Sequence, residues 1–142
     1  MTDWVGDIIE LHTKFGDIHQ IVRKLSPEVK AEFYRFRSRF LTEELDEFRR
    51  ADTPDKAVDA LIDLCVVAIG TLHIFGIDAD KAWNKVYQAN MRKEVGKNPG
   101  RKNHFGLPDL IKPEGWVAPS HEDNVGVLDS VFVELFKPEL EV

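Results

Sequence analysis

A single cysteine, Cys65, stands in a chain of 142 residues. That excludes a disulfide within the chain and a multi-cysteine zinc site, and it suits a reducing compartment. Set in an apolar run, Cys65 reads as a small buried hydrophobe rather than a nucleophile. Excess positive charge is also missing. The net charge is −6, which disfavours non-specific binding to nucleic acid or to an anionic membrane. Long hydrophobic runs are absent too: the longest, Leu64 to Leu72, contains Gly70 and Thr71 and is too short for a bilayer. Asp3, Asp7 and Glu10 interrupt the opening stretch, so no signal peptide is expected. No Glu-x-x-His occurs, and with it goes the ligand set of a di-iron helical bundle. The composition, 43% hydrophobic and 31% charged, predicts a soluble, cytoplasmic protein of one domain with a sizeable core.

What is present is helical punctuation. Trp4, Ile8, Leu11 and Phe15 recur at helical spacing behind a Thr2 or Asp3 cap, with a break at Gly16 before Ile18, Ile21, Val22 and Leu25. Ser26-Pro27-Glu28 starts a second helical run, in which Val29, Phe33, Phe36, Phe40 and Leu41 mark the buried side. Thr53-Pro54-Asp55 repeats that start. The run it opens is apolar nearly all round, as in a helix buried in a bundle or at a subunit interface. Gly76 is the expected stop, and Asp78 the cap of a further helix to about Lys93. From 96 to 119 glycine and proline predict an irregular tail with neither helix nor sheet. Ser120-His121-Glu122 is a candidate cap for a last short helix, and Val131 to Phe136 fits strand or helix. The whole predicts an all-α fold, a four-helix-bundle-type core with an irregular C-terminal tail.

The informative stretch is the hairpin across Asp52-Thr53-Pro54. Glu43 and Glu44 share a helix face with Glu47, and Asp59 shares one with Asp63. With the turn near Thr53, Glu47 faces Asp59 and Glu44 faces Asp63, roughly 9 Å and 14 Å from the turn at 1.5 Å rise per residue. Carboxylates gathered this closely repel one another and lose hydration unless cations intervene. An oxygen-only donor set favours hard ions, Mg²⁺ with Mn²⁺ as the alternative, over zinc. His73 lies ten residues past Asp63, about 15 Å along the axis, and is not a co-ligand.

These residues resemble the all-α, MazG-like nucleoside triphosphate pyrophosphohydrolases related to phosphoribosyl-ATP pyrophosphohydrolase. The family's Glu-x-x-Glu stands as Glu44-Leu-Asp-Glu47. Its second acidic motif stands as Asp59-Ala-Leu-Ile-Asp63, with Ala60 where the family has an acid and Asp59 as the candidate substitute. LHTKFG (11–16), ALIDLCVVAIGTLHIFGID (60–78), VYQANMRK (86–93) and DLIKPEGWVAP (109–119) extend the likeness over residues 4 to 119. The resemblance implies hydrolysis of a (deoxy)nucleoside triphosphate to monophosphate and pyrophosphate, with metal on Glu44, Glu47, Asp63 and Asp59. Glu43, Glu44 and Glu47 are the implied catalytic acids. It implies sugar or phosphate contacts from Asn90 and Lys93. Arg37 is a candidate partner for an acid or a phosphate, and His12 and Phe15 for a base pocket. Lys112 and Trp116 are read as a phosphate contact and a tail anchor, and Arg101, Lys102 and His104 as a phosphate-facing or solvated cluster. Residues 1–95 would form the catalytic core and 96–142 a tail on that core or on a neighbouring subunit. A homodimer or homotetramer is expected, with a nucleotide as the small-molecule partner and neither nucleic acid nor membrane. The alternatives are phosphoribosyl-ATP hydrolysis, or a helical interaction module whose acidic face is merely solvated.

Overall fold

The computed structural model describes residues 1–100 and 105–138. Arg101, Lys102 and His104 therefore lie outside the described residues. Six helices are described: α1 (Trp4–Lys14), α2 (Ile18–Arg23), α3 (Pro27–Arg50), α4 (Pro54–Ile74), α5 (Ala79–Met91) and α6 (Leu128–Leu135). Strands β1 (Glu94–Gly96) and β2 (Asp109–Ile111) complete the elements. The described residues divide into two compact units, Met1–Ala79 with Asn124–Val142, and Asp80–Asp123.

In the first unit, local chemistry sets the helix starts. The Asp3 carboxylate accepts from the Gly6 N–H at 2.9 Å, the Ser26 hydroxyl from Val29 at 3.3 Å and the Thr53 hydroxyl from Lys56 at 3.2 Å. Each satisfies a donor that the first helical turn leaves free. At the far end of α4, Gly76 with φ +81° lets its own N–H reach the His73 carbonyl and the Ile77 N–H reach that of Leu72. That crossed pair is a Schellman stop, and the same device ends α1 at Gly16.

Helices α3 and α4 form the main antiparallel pair; α6 packs on α3, and α1 and α2 on α4. The core sits at the open end of this hairpin, where Val22, Ala31, Ile74, Phe75 and Val131 are buried and Phe33, Tyr34 and Leu135 pack around them. Side chains as fully covered as Ile74 and Phe75 each contribute about 1.5–3 kcal/mol. The α4 C-terminus is clasped twice. Arg23 donates from Nε to the Ile74 carbonyl at 3.1 Å and from Nη2 to that of His73, and the Val127 N–H donates to the Phe75 carbonyl at 2.8 Å. Cationic and N–H donors here meet the negative pole of the helix. Gly126 makes the second clasp possible, since a Cβ there would stand 2.0 Å from the Phe75 oxygen. The segment 131–136, open to either reading in sequence, is thus mostly helix and supplies a core residue.

By length and composition α4 is apolar enough to cross a membrane, with a mean hydropathy of 1.9 over its best window. The sequence run alone looks too short because Gly70 and Thr71 interrupt it, yet the helix continues through them. Helices α1, α2 and α3 pack against it, and 22% of that window is buried among the described residues.

In the second unit, the tail is not free of sheet, contrary to expectation. Antiparallel β1 and β2 pair Glu94 with Ile111, Val95 with Leu110 and Gly96 with Asp109. The strands are only three residues each, too short to leave an alternating pattern. Nor does Ser120 cap a helix: its hydroxyl accepts from the Glu122 N–H, and α6 starts only at Leu128 without a side-chain cap. Asp123 binds the Lys81 and Lys85 ammoniums at 2.9 and 2.8 Å, and these hydrogen bonds hold its carboxyl well below the usual range.

Candidate active site

The acidic hairpin brings three of its carboxylates together. Glu44, Glu47 and Asp63 each bring a carboxylate oxygen within 4.8 Å of the others. Helix α3 contributes the first two one turn apart, and α4 contributes Asp63 from the opposite side of the turn. Glu44 is 8% exposed, and its Oε2 meets no hydrogen-bond partner among the described residues. Its pKa is raised, first by burial, then by the charges of Glu47 and Asp63, a hydrogen bond with Glu47, and Glu43. A buried acceptor without a donor, beside two further carboxylates, fits a hard cation by charge and by donor type.

Toward the turn the trio opens on a cleft of about 570 Å³ lined by Glu43, Asp46, Glu47, Arg50, Asp59 and Lys56, among others. Glu47 belongs to both trio and cleft. Asp59 lines the cleft and is not part of the trio, and Glu43 likewise faces the cleft. The two acids of α4 are therefore differently placed, one turn apart.

Arg37 is buried between α3 and α4. It donates from Nε to Thr71 Oγ1 at 2.9 Å and from Nη2 to the Val67 carbonyl at 2.9 Å, with its guanidinium 5.4 Å from the Phe40 ring. Burial lowers its pKa. These contacts hold the side chain on α4 backbone and hydroxyl. Phe15, at the end of α1, is 63% exposed.

His12 is 5% exposed and lies in a cluster that sequence reasoning missed. Its ring centroid is 6.5 Å from that of His19 and 5.2 Å from that of His73, while His19 and His73 are 4.5 Å apart. Burial, then His73, Arg37 and His19, lower the His12 pKa to about 4. The signal was present in outline, since His12 stands one turn after Ile8 on the core face of α1. Nothing linear joins it to His73.

In the second unit, Trp116 donates from its indole N–H to the Ala89 carbonyl at 2.7 Å. Lys93 and Lys112 hold their ammoniums 5.2 and 5.3 Å from its ring centroid, a double cation–π arrangement. Asn90 is exposed on the last turn of α5, and its carbonyl accepts from the Lys93 N–H.

The site is thus a helical hairpin with Glu-x-x-Glu facing an aspartate, open to a polar cleft. A family model described as phosphoribosyl-ATP pyrophosphohydrolase matches residues 10–90. The chain belongs to that family. No curated protein and no solved structure gives a match.

Proposed function

We propose that the protein hydrolyses (deoxy)nucleoside triphosphates to monophosphate and pyrophosphate with Mg²⁺, or Mn²⁺, held by Glu44, Glu47 and Asp63. The observation that carries this is the convergence of those three carboxylates around the orphaned, buried Glu44 oxygen. A bound divalent ion would supply charge neutralisation for the polyphosphate and a more acidic water. Because the Glu44 pKa is raised, proton and cation compete for this carboxylate, which couples metal affinity to pH. Glu43, exposed on the cleft wall, is placed to accept a proton from an attacking water, and Asp59 to orient that water. Phe15, in the same unit as the acids, offers an exposed ring for stacking.

A second substrate, phosphoribosyl-ATP, is favoured by the description of the matching family. It undergoes the same bond cleavage and needs the same acids. We further propose a cytoplasmic homodimer or homotetramer. Val58, Leu61 and Ile62 on α4, with Phe36 and Phe48 on α3, are exposed apolar side chains on the hairpin itself. A second copy would cover them with closed symmetry.

The test is a panel of NTPs, dNTPs and phosphoribosyl-ATP incubated with Mg²⁺, with every product identified. Pyrophosphate and a monophosphate are expected, lost on chelation and in Glu47→Ala. Orthophosphate as first product, or turnover indifferent to chelation, would overturn the reading.

A further inference from the structure

We propose that His12, His19 and His73 form a second cation site, for a borderline divalent ion of the zinc class, separate from the carboxylates. The three come from α1, α2 and α4, and each offers a ring nitrogen within 4.8 Å of the others'. Every one of them also carries a buried ring nitrogen with no hydrogen-bond partner among the described residues: Nδ1 of His12, Nδ1 of His19 and Nε2 of His73. Buried imidazole nitrogens normally find a partner, so three orphans side by side are an unusual arrangement for a plain core.

The donor set decides the ion. Tetrahedral coordination at a Zn–N distance near 2.0–2.1 Å sets ligand nitrogens about 3.4 Å apart, so nitrogens within 4.8 Å of one another close on an ion by ring rotation and a contraction of at most about 1.4 Å. Imidazole suits zinc and its neighbours, whereas Mg²⁺ prefers the oxygen set at Glu44, Glu47 and Asp63. The helix keeps the two apart, since His73 stands roughly 15 Å beyond Asp63 along α4. Gly70 serves the approach: a Cβ there would stand 3.2 Å from His12 Nε2 and 3.0 Å from Arg37 Nη2.

Two cations face the cluster, Arg37 toward His12 and Arg23 toward His73. Both spend donors on α4 carbonyls, which spreads their charge onto the helix. They still disfavour a naked dication, so the fourth ligand is expected to be an anion such as hydroxide. Such an ion would tie three helices together and close the interior between them.

The full chain without a polyhistidine tag, stripped of metal, is titrated with Co²⁺ and then Zn²⁺ in excess Mg²⁺. One equivalent of Co²⁺ should develop the visible bands of a tetrahedral site, Zn²⁺ should quench them, and the melting temperature should rise. The bands should persist in Glu47→Gln and Asp63→Asn. Zinc affinity should fall at least roughly 100-fold in His19→Asn and His73→Asn, as expected when a direct ligand is lost. Absence of uptake, uptake unchanged in the histidine variants, or uptake lost in the carboxylate variants would each overturn the proposal. If a histidine variant does not fold, histidine ring ¹⁵N shifts of the wild-type chain decide: they move on adding Zn²⁺, or the site is wrong. None of these readouts needs turnover, so they stand or fall apart from the pyrophosphohydrolase reading.

Discussion

The Arg37 guanidinium reaches across the helical hairpin and donates to the Val67 carbonyl oxygen at 2.9 Å, a bond buried from solvent. That oxygen already accepts from the Thr71 hydroxyl at 2.7 Å, and Thr71 in turn accepts from Arg37 Nε. The three groups lock α3 to α4 midway between core and acids.

If that lock is the role of Arg37, Arg37→Leu should lose about 2–3 kcal/mol of stability, the worth of charge-assisted hydrogen bonds to a buried acceptor. Its KM for nucleotide should stay within roughly twofold of wild type, because the lost contacts are internal. Urea unfolding and steady-state kinetics measure the two. A large KM rise with stability intact would return Arg37 to the phosphate.

Glu44 gives a pH signature with a definite sign. Its folded pKa lies above the ordinary carboxylate value, so in metal-free protein the folded state binds more protons than the unfolded one. Its contribution is fully present below the ordinary value and is lost as pH rises through the raised one. Melting curves in EDTA should therefore show a decline over that window, absent in Glu44→Gln. Millimolar Mg²⁺ should offset the decline, since the ion binds the ionised form.

Asp63 and Asp59 should separate in mutagenesis. Asp63→Asn removes a member of the trio and is expected to reduce kcat/KM by roughly 100-fold or more, whereas Asp59→Asn, on the cleft wall, should cost under about tenfold. Pyrophosphate release, titrated against Mg²⁺, distinguishes them: only the Asp63 variant should need more metal. Equal shifts in both would make Asp59 a ligand.

Gly126→Ala is expected to destabilise the first unit by more than about 2 kcal/mol. Its φ of +57° is strained for alanine, and the new methyl group would stand on the Phe75 carbonyl. Chemical denaturation checks the loss, and a fall in aromatic near-UV dichroism would report that α6 has left Tyr34 and Phe75.

In the second unit, Trp116→Phe removes one hydrogen bond and should cost about 0.5–1.5 kcal/mol. Trp116→Ala also removes the ring that the Lys93 and Lys112 ammoniums approach and should cost about 3 kcal/mol. Amide exchange in β1 and β2 is the local readout, and it should quicken in both.

How much of this was legible in sequence depended on range. Ser26-Pro27 and Thr53-Pro54 act through neighbouring residues, so the ends of α3 and α4 could be read directly. The facing of Glu44 and Asp63 followed from rise per residue and the position of one turn. Asp59 could not be ranked against Asp63, because a single turn of helix separates wall from centre and only the packed hairpin fixes which acid joins the trio. The destination of Arg37 was equally hidden, since a long side chain finds its acceptors only after α4 has docked. The histidine cluster depends on three elements meeting around Gly70, and a three-residue strand pair leaves almost no periodicity to detect.

The clasp between Val127 and Phe75 has a kinetic meaning. Residues Asp80–Asp123 are inserted into the chain of the first unit, so its core stays unfilled until Val131 has been made and brought back. Closing so long a loop is an entropic cost met before the contacts that reward it. During synthesis the hairpin would therefore exist for a time with Ile74 and Phe75 uncovered, the interval in which aggregation or chaperone capture competes with folding.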